Sequence, residues 1–271
     1  MRGTWNPTRR NRNIGTPKSG YGQENRLVIP EKFFDYRVFW EKVIDYKIIS
    51  RQVDEREIKF LVEPTKINHY YCCTIDDIVS ILQYVPKGDF DGINLFVFRQ
   101  PKKKEEILSP VWGRLGYEVE IGSHKGPAIF IEAVNTNKTI HWSKSQGPSE
   151  LKRLEILRQD GHIIIENKRE YKIENSADSV RATQLYTTLF HEIGHWIQYK
   201  KEVLEPIRNG ENIEDIENKY FSIPKSEKES FANRYAYELR KKLIESNIIP
   251  FDRIYNQDEI DLNEMTNDFA K

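Results

Sequence analysis

Residues 185–199 read Leu-Tyr-Thr-Thr-Leu-Phe-His-Glu-Ile-Gly-His-Trp-Ile-Gln-Tyr. Tyr186, Phe190, Ile193 and Ile197 recur in steps of four, three and four, the period of one buried helical face. Residues four apart on a helix lie one turn above the other and point the same way. His191 and His195 have that spacing, so both imidazoles can reach a single metal ion. Glu192 follows the first histidine, where its carboxylate can face a metal-bound water. Ser176 or Asp178 can cap this helix, and Pro206 predicts its end.

A hydrolytic zinc site needs three protein ligands and one open position. The pattern H-E-x-x-H-x-x-G-x-x-H is absent, because position 198 is Gln and position 201 is Lys. A third ligand must therefore come from elsewhere. Ser226 predicts the start of another helix, whose Phe231, Tyr235, Leu239 and Leu243 form a stripe at steps of four, with Pro250 just past its end. Glu227, Glu229 and Glu238 are its candidate ligands. Glu229 is preferred for a packing reason. Ala232, Asn233 and Ala236 share its face, and two alanines let another helix approach closely. Gly194 supplies the matching gap, which would explain a residue that costs a helix interior about 1 kcal/mol relative to alanine. Asn233, one turn on, can hydrogen-bond a ligand histidine. A second reading stays open: Ser226 and Glu229 also form a capping box. Tyr235 could serve as an oxyanion-stabilising phenol, although its place in the stripe favours core packing.

The pairing of His191-Glu192-x-x-His195 with Glu229-x-x-Ala232-Asn233 resembles the glutamate-type zincins, or gluzincins. The run from Leu185 to Trp196 is similar to the zincin-like domains of bacterial and phage proteins, among them ImmA/IrrE-type peptidases and antirestriction ArdC-type proteins. The resemblance covers about residues 180–240. It implies an α+β, zincin-like fold, with a mixed sheet packed on the H-E-x-x-H helix and on a second, ligand-bearing helix. It also implies one zinc ion held by His191, His195 and Glu229, with Glu192 as general base in peptide-bond hydrolysis. Zincins pair extended substrates with a strand at the cleft edge; residues 128–134 are the candidate for that strand, with an interior strand as the equal alternative.

The remaining chain reads as short elements. A helix is expected over residues 30–50, from Phe33, Tyr36, Trp40, Val43 and Ile44. Strands are expected at 58–62, 67–73, 93–98, 117–121 and 128–134. Thr74 and Asp77 form a capping box for a helix ending before Pro86. Residues 102–106 read as an exposed connection, 150–158 as a short helix, and 162–173 as a hairpin turning near Asn167. His69, His124, His141 and His162 have no ligand-like spacing to one another. The expected organisation is a basic tail (1–27), an N-terminal α/β region (28–90), the metallopeptidase domain (91–250) and an acidic C-terminal tail (251–271), a loose end from Asp258 on.

Lys+Arg and Asp+Glu number 42 each among 271 residues, so net charge gives no general attraction to nucleic acid or membrane. Arg2, Arg9, Arg10, Arg12, Lys18 and Arg26 make the tail locally basic, and nucleic-acid contact there is a minority expectation. No P-loop, dinucleotide fingerprint or serine nucleophile elbow is present. Cys72 and Cys73 are adjacent, which excludes a disulfide framework and fits reduced thiols. No signal peptide and no apolar run near 20 residues is seen, so a cytoplasmic protein acting on a protein or peptide is expected. The rival expectations are a non-catalytic zincin scaffold that binds a protein or nucleic acid, and a phage or host-defence effector using the same site.

Overall fold

The structure is a computed structural model, and it describes residues 39–108, 111–144, 148–255 and 268–269. The basic tail and the first part of the expected 30–50 helix lie outside them. Within them, that helix is replaced. Residues Phe39–Glu41 form one 3-10 turn, Asp45 takes a left-handed φ of 54°, and the chain becomes strand β1, Lys47–Val53. A left-handed residue ends helical propagation. The β-branched Ile48 and Ile49 then suit the extended chain. Asp54, also left-handed at 53°, turns β1 into β2, Arg56–Val62.

The expected strand at 67–73 is reduced to two isolated bridges, Tyr70 with Val134 and Tyr71 with Phe269. Left-handed Asn68 interrupts it. Helix α1, Ile75–Leu82, carries the predicted Thr74–Asp77 capping box. Strand β3, Leu95–Arg99, follows. Helix α2, Lys103–Leu108, stands where an exposed connection was expected, and its Glu105 and Glu106 pair with Arg99, His69 and Lys138.

Strands β4, Gly113–Ile121, and β5, His124–Glu132, complete a five-stranded mixed sheet of order β1-β2-β3-β5-β4. The expected division at residue 90 runs through this sheet, because β2 pairs in parallel with β3. Of the two places open for residues 128–134, the structure has the interior one, and the cleft-edge candidate is corrected. β5 lies between β3 and β4, its apolar run being that of an interior strand, and β4 is the edge. An irregularity in its pairing falls between Gly116 and Val119.

Strand β6, Ile140–Ser143, helix α3, Pro148–Gln159, and strands β7, Ile163–Glu166, and β8, Glu170–Glu174, form a satellite with a three-stranded sheet of order β6-β8-β7. The predicted hairpin is present, and the Asn167 carboxamide oxygen accepts from the Arg169 and Glu170 amides at its turn.

A long helical run follows. It comprises α4, Ala177–Thr183, a π-turn at Gln184–Thr188, α5, Leu189–Tyr199, a second π-turn at Lys200–Leu204, and α6, Glu205–Arg208. Ser176 caps its start through a reciprocal bond pair with Ser179. Pro206 does not end it. The π-turn places this proline in the first turn of α6, where its missing N–H does no harm. Helix α7, Ile213–Ser222, and the 21-residue α8, Lys225–Glu245, close the fold.

The larger core lies between one sheet face and these helices. Phe60, Phe96, Phe98, Ile129 and Ile131 meet Leu185, Leu189, Phe190 and Ile193, all at most 1% exposed. Each such side chain contributes about 1.5–3 kcal/mol of burial. The other face packs Leu61, Val97, Ala128 and Phe130 beneath Val43 and Trp40. The C-terminal stretch is partly tied down, against expectation. Arg181 Nη1 donates to the Phe251 carbonyl, and the Asp268 carboxylate accepts from the Thr65 amide and hydroxyl. Among the described residues no helix is long and apolar enough to cross a membrane.

Candidate metal centre

The histidine pair projects from the middle of α5, and α8 crosses directly against it. The crossing is closest at Gly194. A Cβ built there would lie 2.9 Å from Ala232 Cα, 3.1 Å from Ala232 O and 3.3 Å from Tyr235 Cβ. No side chain fits without moving α8, so the glycine and the alanines are two halves of one contact. This approach brings Glu229 over the histidines. His191 Nε2 and His195 Nε2 are 3.0 Å apart. The Glu229 carboxylate lies 3.3 Å from the first and 3.9 Å from the second. Among the described residues these three form the one group of histidine, cysteine or carboxylate side chains that could hold a metal ion, each offering a donor within 4.8 Å of the others.

The competing ligands do not converge. Glu227 and Glu238 are exposed on α8. The capping box expected at Ser226 is absent: α8 starts at Lys225 after Pro224, with no side-chain cap, and Glu229 turns to the histidines instead. Asn233 lies one turn beyond Glu229 on α8, near enough to His191 to add to the rise of its pKa. Tyr235 is not free to stabilise an oxyanion, because its hydroxyl donates to Asp89 Oδ2 at 2.7 Å.

Electrostatics separate the two imidazoles. Burial opposes charge on His191, but the hydrogen bond to Glu229 and the nearby Glu192 outweigh it, so its pKa rises. For His195, burial and the adjacent His191 act together and bring the pKa down to about 4. Glu229 is held below the usual carboxylate range, chiefly by His191. His195 Nδ1 is buried and has no hydrogen-bond partner among the described residues.

Glu192 projects to the other side of the cluster, toward the sheet edge. It is 9% exposed, and its Oε2 accepts the Leu115 amide of β4 at 2.8 Å. Burial raises its pKa, against the opposing pull of His191 and of the Leu115 bond. A carboxyl with a raised pKa holds a proton more readily, as a general base needs to. Leu115 carries no readable sequence signal, because its contribution is a backbone N–H. The thiols play no part: Cys72 and Cys73 are buried and unpaired, and burial pushes Cys72 up to about 12.

Comparison of the chain with family models, with curated proteins and with solved structures finds no match.

Proposed function

We propose that this chain is a cytoplasmic zinc-dependent metallopeptidase of zincin-like fold, acting on a protein or peptide. The observation that carries this reading is the convergence of His191 Nε2, His195 Nε2 and the Glu229 carboxylate from two helices, with buried Glu192 beside them. The donor set fits zinc: two neutral imidazoles and one carboxylate are a hydrolytic ligand set that leaves a position open. When bound, zinc supplies a Lewis acid that acidifies water and polarises a carbonyl oxygen. The residues of this chain do the rest. Glu192, oriented by the Leu115 amide, takes the proton of the attacking water and returns it to the leaving amine. Asn233, one turn beyond Glu229, is placed to support the His191 ring. The outer edge of β4 offers backbone groups to an extended peptide.

The test starts with protein purified without a polyhistidine tag, loaded with zinc and dialysed. About one zinc per chain in wild type, and none in His195→Ala, is expected from elemental analysis. Peptide-library cleavage present in wild type and absent in zinc-loaded Glu192→Gln would complete the case. No retained zinc in wild type would overturn it, and would leave a scaffold whose role is binding.

A further inference from the structure

Helix α5 meets the edge strand through more than Glu192. Gln184, fully buried in the π-turn before α5, donates through Nε2 to the Trp112 carbonyl at 3.1 Å and the Glu132 carbonyl at 2.9 Å. Those carbonyls belong to the two chains that pair at the start of β4, where the Glu132 amide also donates to Trp112 O. Thr188 lies under Gly113, where an added Cβ would fall 2.9 Å from Thr188 Cγ2 and 2.6 Å from Phe130 O. Glu192 then takes the Leu115 amide. Three helix side chains therefore track three successive points of one strand.

A regular α-helix would not allow this alignment. It turns about 100° per residue, so residues eight apart are about 80° out of phase. Between Gln184 and Glu192 the helix contains a π-turn, closed by the Leu189 N–H donating to the Gln184 carbonyl. A π-turn takes up one extra residue, which reduces the offset to about 20°. Gln184 and Glu192 thereby reach the same strand.

We infer that Gln184 is a positioning residue: it anchors the start of β4 in the register at which the Leu115 amide holds Glu192. The importance of that contact for catalysis rests on the proposed function, but the contact itself can be measured without a substrate. Leucine-specific 15N labelling of the full chain reports the Leu115 amide beside those of Leu185, Leu189 and Leu243. In Gln184→Met, which keeps the size and removes both donated bonds, Leu115 is expected to lose about tenfold or more of its exchange protection. The other three leucines and the zinc content are expected to match wild type. Leu115 protection equal to wild type, or an equal loss at all four leucines, would overturn the proposal.

Gln184→Glu gives a second reading should the methionine variant not fold. Facing two carbonyls, its carboxyl is neutral at about pH 6 and donates one bond, and it ionises as pH rises toward about 9. Protection of Leu115, relative to wild type at each pH, should then fall with rising pH; a pH-independent ratio would overturn the proposal. If the protein cleaves no peptide, the peptidase reading fails while this exchange test still stands or falls by itself.

Discussion

Two polar clusters join distant parts of this chain, and they are built in opposite ways. Asp77 and Arg181 tie α1 to α4 and to the segment after Pro250. Asp77 Oδ1 accepts from Arg181 Nη2 and the Ile254 amide, and Oδ2 accepts from Arg181 Nε and the Thr74 amide, all within 3.0 Å. Every lone pair aimed inward meets a donor, and nothing is left for a ligand. The His191–His195–Glu229 cluster is not closed in this way. Two imidazole nitrogens face each other at 3.0 Å, and burial together with the neighbouring ring keeps His195 from protonating. Buried polar groups are ordinarily satisfied. A closed network reads as structure, and an open one as a place where something binds.

That contrast can be broken by experiment. The largest expected effect is on turnover: Glu192→Gln should lower peptide cleavage by about 10²–10⁴-fold with zinc stoichiometry unchanged. Wild-type rates in this variant would remove Glu192 as the base. Next, Asp77→Ala leaves Arg181 buried and unpaired, so urea denaturation should show a loss of about 3–5 kcal/mol while zinc binding persists. A loss of zinc at preserved stability would erase the distinction between the clusters. Gly194→Ala places a methyl against the α8 backbone and should cost about 1–3 kcal/mol, with weaker zinc retention because Glu229 is displaced. Zinc affinity and stability equal to wild type would show that the crossing can relax.

Two smaller effects sharpen the comparison. Without zinc, His195→Gln should change stability by less than about 1 kcal/mol, because no closed network is lost. With saturating zinc, only wild type should gain thermal stability. Outside both clusters, His162 donates or accepts at Thr183 Oγ1 in the buried seam under the small sheet. Burial lowers its pKa below the ordinary value of 6.5, despite the opposing Asp160. The unfolded chain then binds more protons, so this contribution is complete above about pH 6.5 and is lost as pH falls toward the folded pKa. His162→Gln should flatten the acid limb of the stability–pH curve; an unchanged slope would reassign it.

Most of the helical half was readable in the sequence because its signals are local and redundant. The Tyr186–Ile197 stripe, the Ser176 cap and the Gly194–Ala232 gap each pointed to the same packing. The front half was less readable. Within the described residues, Trp40, Val43 and Ile44 keep a helical spacing, but Asp45 takes a left-handed conformation that composition does not announce. Residues 128–134 read equally well as a cleft-edge or an interior strand, because an apolar run does not by itself give a place in the sheet; the structure has the interior one, buried on both sides. Pro206 misled because a π-turn two residues earlier resets the helix around it. Gln184 and the Leu115 amide are invisible for a different reason: one is a polar residue among others, Arg181, Thr183, Thr187 and Thr188, and the other has no side-chain signature.

The irregular pairing of β4 between Gly116 and Val119 has a consequence for the protein in crowded solution. An open sheet edge invites a second copy to add its own edge permanently. Here the straight, available stretch ends within a few residues, and exposed Glu118 and Glu120 continue it as a charged, misaligned rail. A neighbouring sheet finds no continuous seam there to zip along. The same interruption that shortens the edge thus works as a colloidal safeguard.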